Sequence, residues 1–167
     1  MRLCNIKISI YFERDLIPKK KSNEKNIFHM NSWTITIYLH SPNHANVTGI
    51  REKDEIRRVI YQLEEKFAVK STHHCIDSAM VSHKDNKRLK IDKIRKALQP
   101  FSALYHMDYE PEIFSGIFLK PTDRQSPTIN LFFTGSYQLL GGKTFDLIEK
   151  SIQIVQTVIK NSLIDSA

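Results

Sequence analysis

Two segments of the chain alternate apolar and polar residues with the period of a β-strand. Residues 34–41 read TITIYLHS, and residues 126–133, which lie 92 positions later, read SPTINLFF. A turn follows each segment, and a second alternating run comes next: ANVTGIR at 45–51 and YQLLGGK at 137–143. The pattern predicts two β-hairpins of the same design.

Each predicted hairpin leads into a segment with the three-four spacing of an amphipathic helix. The segments are residues 52–67 and 144–160, and their apolar positions keep the offset of 92: Ile56 with Ile148, Ile60 with Ile152, Leu63 with Val155 and Phe67 with Ile159. One offset through strand, turn, strand and helix indicates an internal duplication. We therefore predict an α+β fold of two repeats, residues 1–72 and 73–167, that form one composite domain.

The two predicted repeats differ ahead of their hairpins. The second has an expected strand at 75–82 and an expected helix within 88–99. The first has an alternating strand at 3–12 and then a polar loop, PKKKSNEKN, at 18–26. This leaves little room for an equivalent first helix, so the first repeat is degenerate.

Alternation assigns the side chains of each strand to two faces of the sheet. The face predicted to lie under the helices is apolar: Ile35, Ile37, Leu39, Ile129, Leu131, Phe133, Tyr137 and Leu139. The opposite face mixes polar and aromatic residues: Thr36, Tyr38, His40, Thr128, Asn130, Phe132, Gln138 and Leu140. An open sheet face that carries Phe132 is unusual for a monomer and indicates a binding surface.

Composition narrows the class of ligand. The chain has 167 residues, 41% of them hydrophobic, a net charge of +7 and a pI of about 9.4, which favours DNA, RNA or an anionic membrane as a partner. A basic surface without such a partner would have the same composition. No apolar run is long enough to span a bilayer and no secretory signal is visible, so we expect an intracellular protein. The two cysteines, Cys4 and Cys75, are then predicted to be buried thiols.

Two motifs of the second repeat resemble the TATA-box-binding protein family. They are YEPEIFSG at 109–116 and INLFFTGSYQLLGGK at 129–143. The likeness covers residues 75–160 well, 33–67 more weakly through VTGIR and the following helix, and 3–9 faintly. It implies a saddle of two pseudo-symmetric repeats, a curved antiparallel sheet with helices on its convex side, and a concave face that binds the DNA minor groove and kinks it with aromatic wedges.

The resemblance assigns roles to particular residues. Phe114 and Phe132 match the two wedges of the second repeat, for which ordinary core packing is the alternative. The positions that match the groove-facing surface are Asn5, Thr48, Ser78, Met80, Gln138 and Leu140, and those at the phosphate-contacting edges are Arg51, Lys120 and Lys143. Single surface cations are more often simply solvated.

The first repeat departs from the family at its wedges. His40 stands where the family has phenylalanine, and the nearest candidates for the other wedge are Ile27 and Phe28. Leu140 replaces a threonine and Ser78 an asparagine. We therefore expect one-sided kinking and looser selectivity for A·T sequences.

The resemblance also suggests partners. The loop with Glu110, Glu112 and Ile113 matches the one that contacts transcription factor IIB, so we expect a transcription factor IIB-like protein and the RNA polymerase initiation machinery as partners. Without the resemblance, this loop would be interpreted as a solvated turn. The expected location is the nucleus, or a viral factory if a virus encodes the chain.

Enzymatic chemistry is not expected. His73, His74, Cys75 and Asp77 are close in sequence, but alternation separates neighbours and no second ligand pair has suitable spacing, so we predict no metal site and no cofactor. No phosphate-binding loop and no catalytic triad is supported. Three hypotheses remain: a DNA-bending initiation factor, a protein-interaction module of the same fold with reduced DNA binding, and, with less support, an RNA-binding sheet.

Overall fold

The computed structural model describes the backbone of residues 2–164 and the side chains of residues 5–164. These residues contain nine β-strands and three α-helices, so the fold class is α+β, as predicted. The strands are β1 (Arg2–Phe12), β2 (Lys25–Met30), β3 (Trp33–Tyr38), β4 (His44–Ile50), β5 (Ser71–His83), β6 (Tyr105–Asp108), β7 (Gly116–Pro121), β8 (Thr128–Phe132) and β9 (Tyr137–Leu140). The helices are α1 (Lys53–Phe67), α2 (Ile91–Leu98) and α3 (Phe145–Asn161), and a 3₁₀ turn follows α2 at Gln99–Phe101. Within residues 2–164, no helix is long and apolar enough to cross a membrane.

The chain divides into two compact units within β5. The N-terminal unit is Leu3–Ser78, with α1 and the strand order β2-β3-β4-β1-β5. The C-terminal unit begins at Ala79 and includes Arg2, and it has α2, α3 and the strand order β5-β9-β8-β7-β6. The hairpins of both units are antiparallel. A repeat boundary after residue 72 stays a prediction, because a division by contacts does not locate a duplication.

Alternation of burial along the hairpin strands organises each unit. Of the residues predicted to lie under the helices, Ile35, Ile37, Ile129, Leu131, Tyr137 and Leu139 are all 0% exposed. Leu39 and Phe133, which follow the ends of β3 and β8, are only partly buried. Buried residues of α1 and α3 supply the other side of each core, among them Ile56, Leu63, Ile148 and Val155. The predicted sidedness of β3, β8 and β9 is thereby confirmed.

The backbone repeats with the offset found in the sequence. Helix α1 begins at Lys53 and α3 at Phe145, which are 92 residues apart. Gly49 and Gly141, also 92 apart, both adopt left-handed conformations, with φ of 90° and 89°. Such a conformation suits glycine because it has no Cβ. The same backbone device therefore precedes the helix in each unit.

Other predicted elements differ from the structure in instructive ways. Strand β2 begins at Lys25, inside the predicted polar loop, because residues 25–30 pair with β3 in a continuous antiparallel register. The strand depends on this pairing, and the weak alternation of residues 25–30 does not predict it. The expected buried thiol at Cys75 is wrong, since Cys75 is exposed. The side chain of Cys4 lies outside the described residues.

Alanine at the two left-handed glycines should separate backbone strain from steric clash. We expect Gly141→Ala to lower the free energy of unfolding by about 1 kcal/mol, because alanine is strained in the left-handed conformation. Steric clash adds nothing to this loss, since no atom lies within 4 Å of the added Cβ. Gly49→Ala should cost about 2 kcal/mol or more, because its Cβ would lie 2.6 Å from the backbone oxygen of Ser32. Urea unfolding of the two variants measures the difference, and equal losses would show that the clash relaxes.

Candidate nucleic-acid interface

The side of each unit opposite its buried strand residues is called its open face. In the C-terminal unit, directly paired residues of neighbouring strands share this face. One row joins Met80, Leu140 and Thr128, the next joins Ser82, Gln138, Asn130 and Phe118, and the last joins Phe132 to Gly116. Met80 and Leu140 are 37% and 38% exposed, so this face presents apolar as well as polar side chains.

Three aromatic rings meet on this face and form a phenylalanine cluster of Phe114, Phe118 and Phe132. The Phe114 ring stacks on Phe118 at 4.3 Å between centroids and lies 5.3 Å from Phe132. All three side chains are partly exposed. Phe132 therefore does not pack beneath the helices. The structure brings the two predicted wedges together, and it adds Phe118, which the sequence analysis did not single out.

Gly116 makes room for the phenylalanine cluster. A Cβ at this position would lie 2.7 Å from the Phe114 ring and 2.7 Å from the backbone oxygen of Leu131. The Phe114 ring therefore approaches the strand more closely than any other residue at 116 would allow.

The loop ahead of β7 places Phe114 and displays the predicted partner-binding residues. The Glu110 carbonyl accepts hydrogen bonds from the N–H groups of Ile113 and Phe114, both at 3.0 Å, which closes a single turn. Glu110 and Glu112 are exposed, and Ile113 is 78% exposed. An exposed isoleucine that follows two exposed glutamates suits a protein contact, and its role stays a prediction.

Asn130 is an unusual residue on the C-terminal open face. Its side chain is 9% exposed, and its Oδ1 atom is buried without a hydrogen-bond partner among the described residues. Such a group costs stability unless a ligand satisfies it.

The open face of the N-terminal unit is more polar. Thr48 pairs with Thr34 across β3 and β4 on this face. The Gly49 N–H donates to Asn5 Oδ1 at 2.9 Å. Because only an oxygen can accept that bond, the Asn5 NH₂ group is the end available to a ligand. Ser78 is exposed at the end of this unit.

A carboxylate on the same face was missed by the sequence analysis as a contributor to the surface. The Ser9 hydroxyl donates to Asp77 Oδ2 at 2.7 Å and lies 3.0 Å from Asn46 Oδ1. Since Ser9 and Asn46 are paired residues of β1 and β4, Asp77 belongs to their side of the unit. The sequence signal that could have found it was the alternation along β5, which puts Cys75 and Asp77 on the same face of the strand.

Three rings stack beside this carboxylate. Tyr11 lies between His44 at 4.5 Å and His73 at 4.4 Å, with nearly parallel planes. Burial lowers the pKa of His44; the charge of Asp77 opposes this shift and that of Lys7 adds to it. His44 is therefore neutral near pH 7, and its ring serves as a flat surface and not as a cation.

The wedge candidates of the first repeat separate onto different sides. Phe28 packs edge-to-face on Phe67 of α1 at 6.0 Å, with the Lys66 ammonium over its ring, so it belongs to the helix side. Ile27 is 51% exposed and pairs with Thr36 of the open face. His40 is exposed and tilts against Tyr38 at 5.4 Å.

The predicted phosphate-contacting cations are all exposed, but they are not equivalent. The Lys120 ammonium lies 2.6 Å from the Asp108 carboxylate, and this hydrogen bond raises the pKa of Lys120. A phosphate at Lys120 would therefore compete with Asp108. Among the described residues, Arg51 has no salt bridge of this kind. Among residues 5–164, no group of three His, Cys, Asp or Glu side chains could hold a metal ion.

Comparison with known proteins supports the fold. No protein-family model and no curated protein matches the sequence. Among solved structures, the chain is similar to the TBP of Methanococcus jannaschii, with a TM-score of 0.61 and 15% sequence identity. The match covers 95% of this chain and 97% of that chain. The chain therefore has a fold like that of the TATA-box-binding proteins, while the low identity leaves residue roles to be argued from the site itself.

Replacing the unsatisfied amide should stabilise the protein. We expect Asn130→Leu, which keeps the branching of the side chain and removes the buried polar atoms, to raise the free energy of unfolding by about 1–2 kcal/mol. Gln138→Leu is the control, because Gln138 lies in the same cross-strand row but is more exposed. Urea unfolding at neutral pH gives both values. A loss of stability in Asn130→Leu would mean that the amide has a partner, such as bound water.

Proposed function

We propose that this chain is a non-enzymatic, DNA-binding general transcription initiation factor that binds A·T-rich promoter DNA through the minor groove and bends it. The observation that carries the proposal is the partly exposed phenylalanine cluster on the open face of the C-terminal unit. Rings in this position can enter a base step and replace the stacking that is lost when the duplex kinks.

The chemistry of the remaining open face supports a minor-groove ligand. The floor of that groove at A·T pairs offers only acceptors, and guanine adds a protruding amino group. The Asn5 NH₂ group can donate to such acceptors, because its oxygen is already engaged by Gly49. Met80 and Leu140 can fill the groove without a polar demand, and a guanine amino group would be left unsatisfied against them.

Charge supports the same ligand. The net charge of +7 favours a polyanion, and Arg51 and Lys143 are exposed at equivalent positions of the two units, 92 residues apart. Phosphate contacts by such cations supply affinity that falls as salt rises.

The partner part of the proposal rests on the loop ahead of β7. Ile113 is 78% exposed and follows Glu110 and Glu112, so this loop presents an acidic and apolar surface on a basic protein. We propose that it contacts a transcription factor IIB-like protein and so recruits the RNA polymerase initiation machinery, in the nucleus or in a viral factory.

Removing the rings should weaken binding and abolish the kink. We expect Phe114→Ala/Phe132→Ala to weaken binding to an A·T-rich duplex at least about tenfold, since stacking on an aromatic ring contributes about 1–3 kcal/mol per base. The fluorescence rise of 2-aminopurine at the unstacked step should also disappear. Phe28→Ala is the matched control, because it removes the same side chain from the helix side. Intact binding and kinking in the double variant would contradict the proposal.

A second candidate function is a protein-interaction module of the same fold with reduced DNA binding. Asp77 favours it, since a carboxylate on the N-terminal open face would meet the acceptors of an A·T floor and the negative potential of DNA. The absence of a phenylalanine from the open side of β2 and β3, within the described residues, points the same way.

Asp77→Asn distinguishes the two candidates. If the open face binds DNA, the variant should bind an A·T-only duplex about three- to tenfold more tightly, because a repelled carboxylate becomes a neutral amide that can donate. Glu149→Gln, an exposed position on α3, is the control for net charge. Fluorescence anisotropy measures both affinities. Equal affinities for wild type and Asp77→Asn would favour the protein-interaction module.

A further inference from the structure

The N-terminal unit has a lysine-rich loop ahead of β2. It corresponds to the loop ahead of β7, which carries Phe114 of the phenylalanine cluster. Thr48 pairs with Thr34 as Leu140 pairs with Thr128, so β4 lies 92 residues before β9 but β3 lies 94 residues before β8. Tyr38 therefore occupies the position of Phe132, and His40 lies two residues further along, in the turn after β3. No phenylalanine of the described residues lies on the open side of this end, since Phe28 packs on α1. What surrounds His40 instead is the segment 18–25, with the sequence PKKKSNEK.

Backbone hydrogen bonds hold this segment against the β3–β4 turn. The Leu16 N–H donates to the Pro42 carbonyl at 2.8 Å, and the Lys20 N–H donates to the Leu39 carbonyl at 2.9 Å. The Leu39 N–H donates to the Glu24 carbonyl at 3.0 Å. The loop is therefore fixed next to His40 by main-chain contacts on both of its sides, and the lysine side chains are not needed to hold it.

The lysines of this loop are exposed and form a concentrated charge. Residues 18–25 contain Lys19, Lys20, Lys21 and Lys25 against the single carboxylate of Glu24, which gives +4 − 1 = +3. Across the described residues, no carboxylate lies within salt-bridge distance of the three consecutive lysines. Lys25 pairs with Tyr38, which places it on the open face of this unit.

We propose that Lys19, Lys20 and Lys21, together with Lys25, form a phosphate-binding site that holds the DNA backbone beside the N-terminal unit, in place of a second phenylalanine cluster. This inference rests on the proposed function. An ammonium on a flexible stem suits a phosphate oxygen and reads no base sequence. The two units then bind DNA by different means. The C-terminal unit unstacks a base step, and the N-terminal unit binds the phosphate backbone without kinking the duplex.

Replacing the lysines with glutamine, which is uncharged but still long and polar, tests the site. Lys19→Gln/Lys20→Gln/Lys21→Gln is compared with Lys96→Gln/Lys150→Gln/Lys160→Gln, which removes the same charge from exposed positions of α2 and α3. Affinity for an A·T-rich duplex is measured from about 50 to 200 mM salt, a range in which counterion release is resolved. Thermal unfolding confirms that both variants fold.

The loop variant should lower the slope of log affinity against log salt by about 2–3, since each lost phosphate contact contributes about 0.9. Its affinity should fall equally for A·T-rich and mixed sequences, and the 2-aminopurine signal of the wedged step should persist at saturation. The helix variant should change the slope by less than about 0.5. Similar changes in the two variants, or no change in the loop variant, would overturn the phosphate site.

The two proposals fail in distinguishable ways. If Phe114→Ala/Phe132→Ala leaves binding and kinking intact while the loop variant loses the salt slope, the wedge proposal fails and the phosphate site stands as a non-selective contact. If the double variant loses the kink while the loop variant binds like wild type, the phosphate site fails alone. If wild type does not bind the duplex at low salt, both are wrong.

Discussion

Alternate burial along the strands constrains everything that the open faces present. Residues such as Ile35, Ile37, Ile129 and Leu131 are fully buried under the helices. Because successive side chains of a strand point to opposite faces, a slip of one residue would expose this whole set to solvent. The register is therefore held by the hydrophobic effect on one side, and it determines that Phe132 lies on the other.

The two units show what this constraint leaves free. They share the second hairpin strand, the left-handed glycine and the start of the helix at one offset of 92 residues, whereas the first hairpin strand is offset by 94. Their open faces carry different chemistry, with a phenylalanine cluster in one unit and a ring stack, a carboxylate and a lysine-rich loop in the other. Core packing restricts the buried positions closely, whereas open-face positions can change without loss of the fold. Divergence of function between duplicated units is thus expected at the surface.

Sequence reasoning located the regular elements well where the periodicity was strong. Helix α3 was expected at 144–160 and occupies Phe145–Asn161, and α1 begins one residue later than expected. Strand β2 was missed because its residues alternate weakly and its pairing with β3 is what makes it a strand. Phe118 was not singled out, although the alternation of β7 would have placed it opposite the buried Ile117 and Leu119. The role of each open-face residue stays a prediction, since neither periodicity nor fold tests binding.

The sequence alone determined the duplication, the two faces of the hairpin strands and the excess of positive charge, because these depend on spacing and composition within single segments. Only the tertiary structure decided which side chains meet. Three contacts join residues from different elements: the close approach of Phe114 to Gly116, the Ser9–Asp77 hydrogen bond and the packing of Phe28 against α1. Such contacts follow from strand register and helix packing, which are set by the burial of the whole core and not by the local pattern of any one segment.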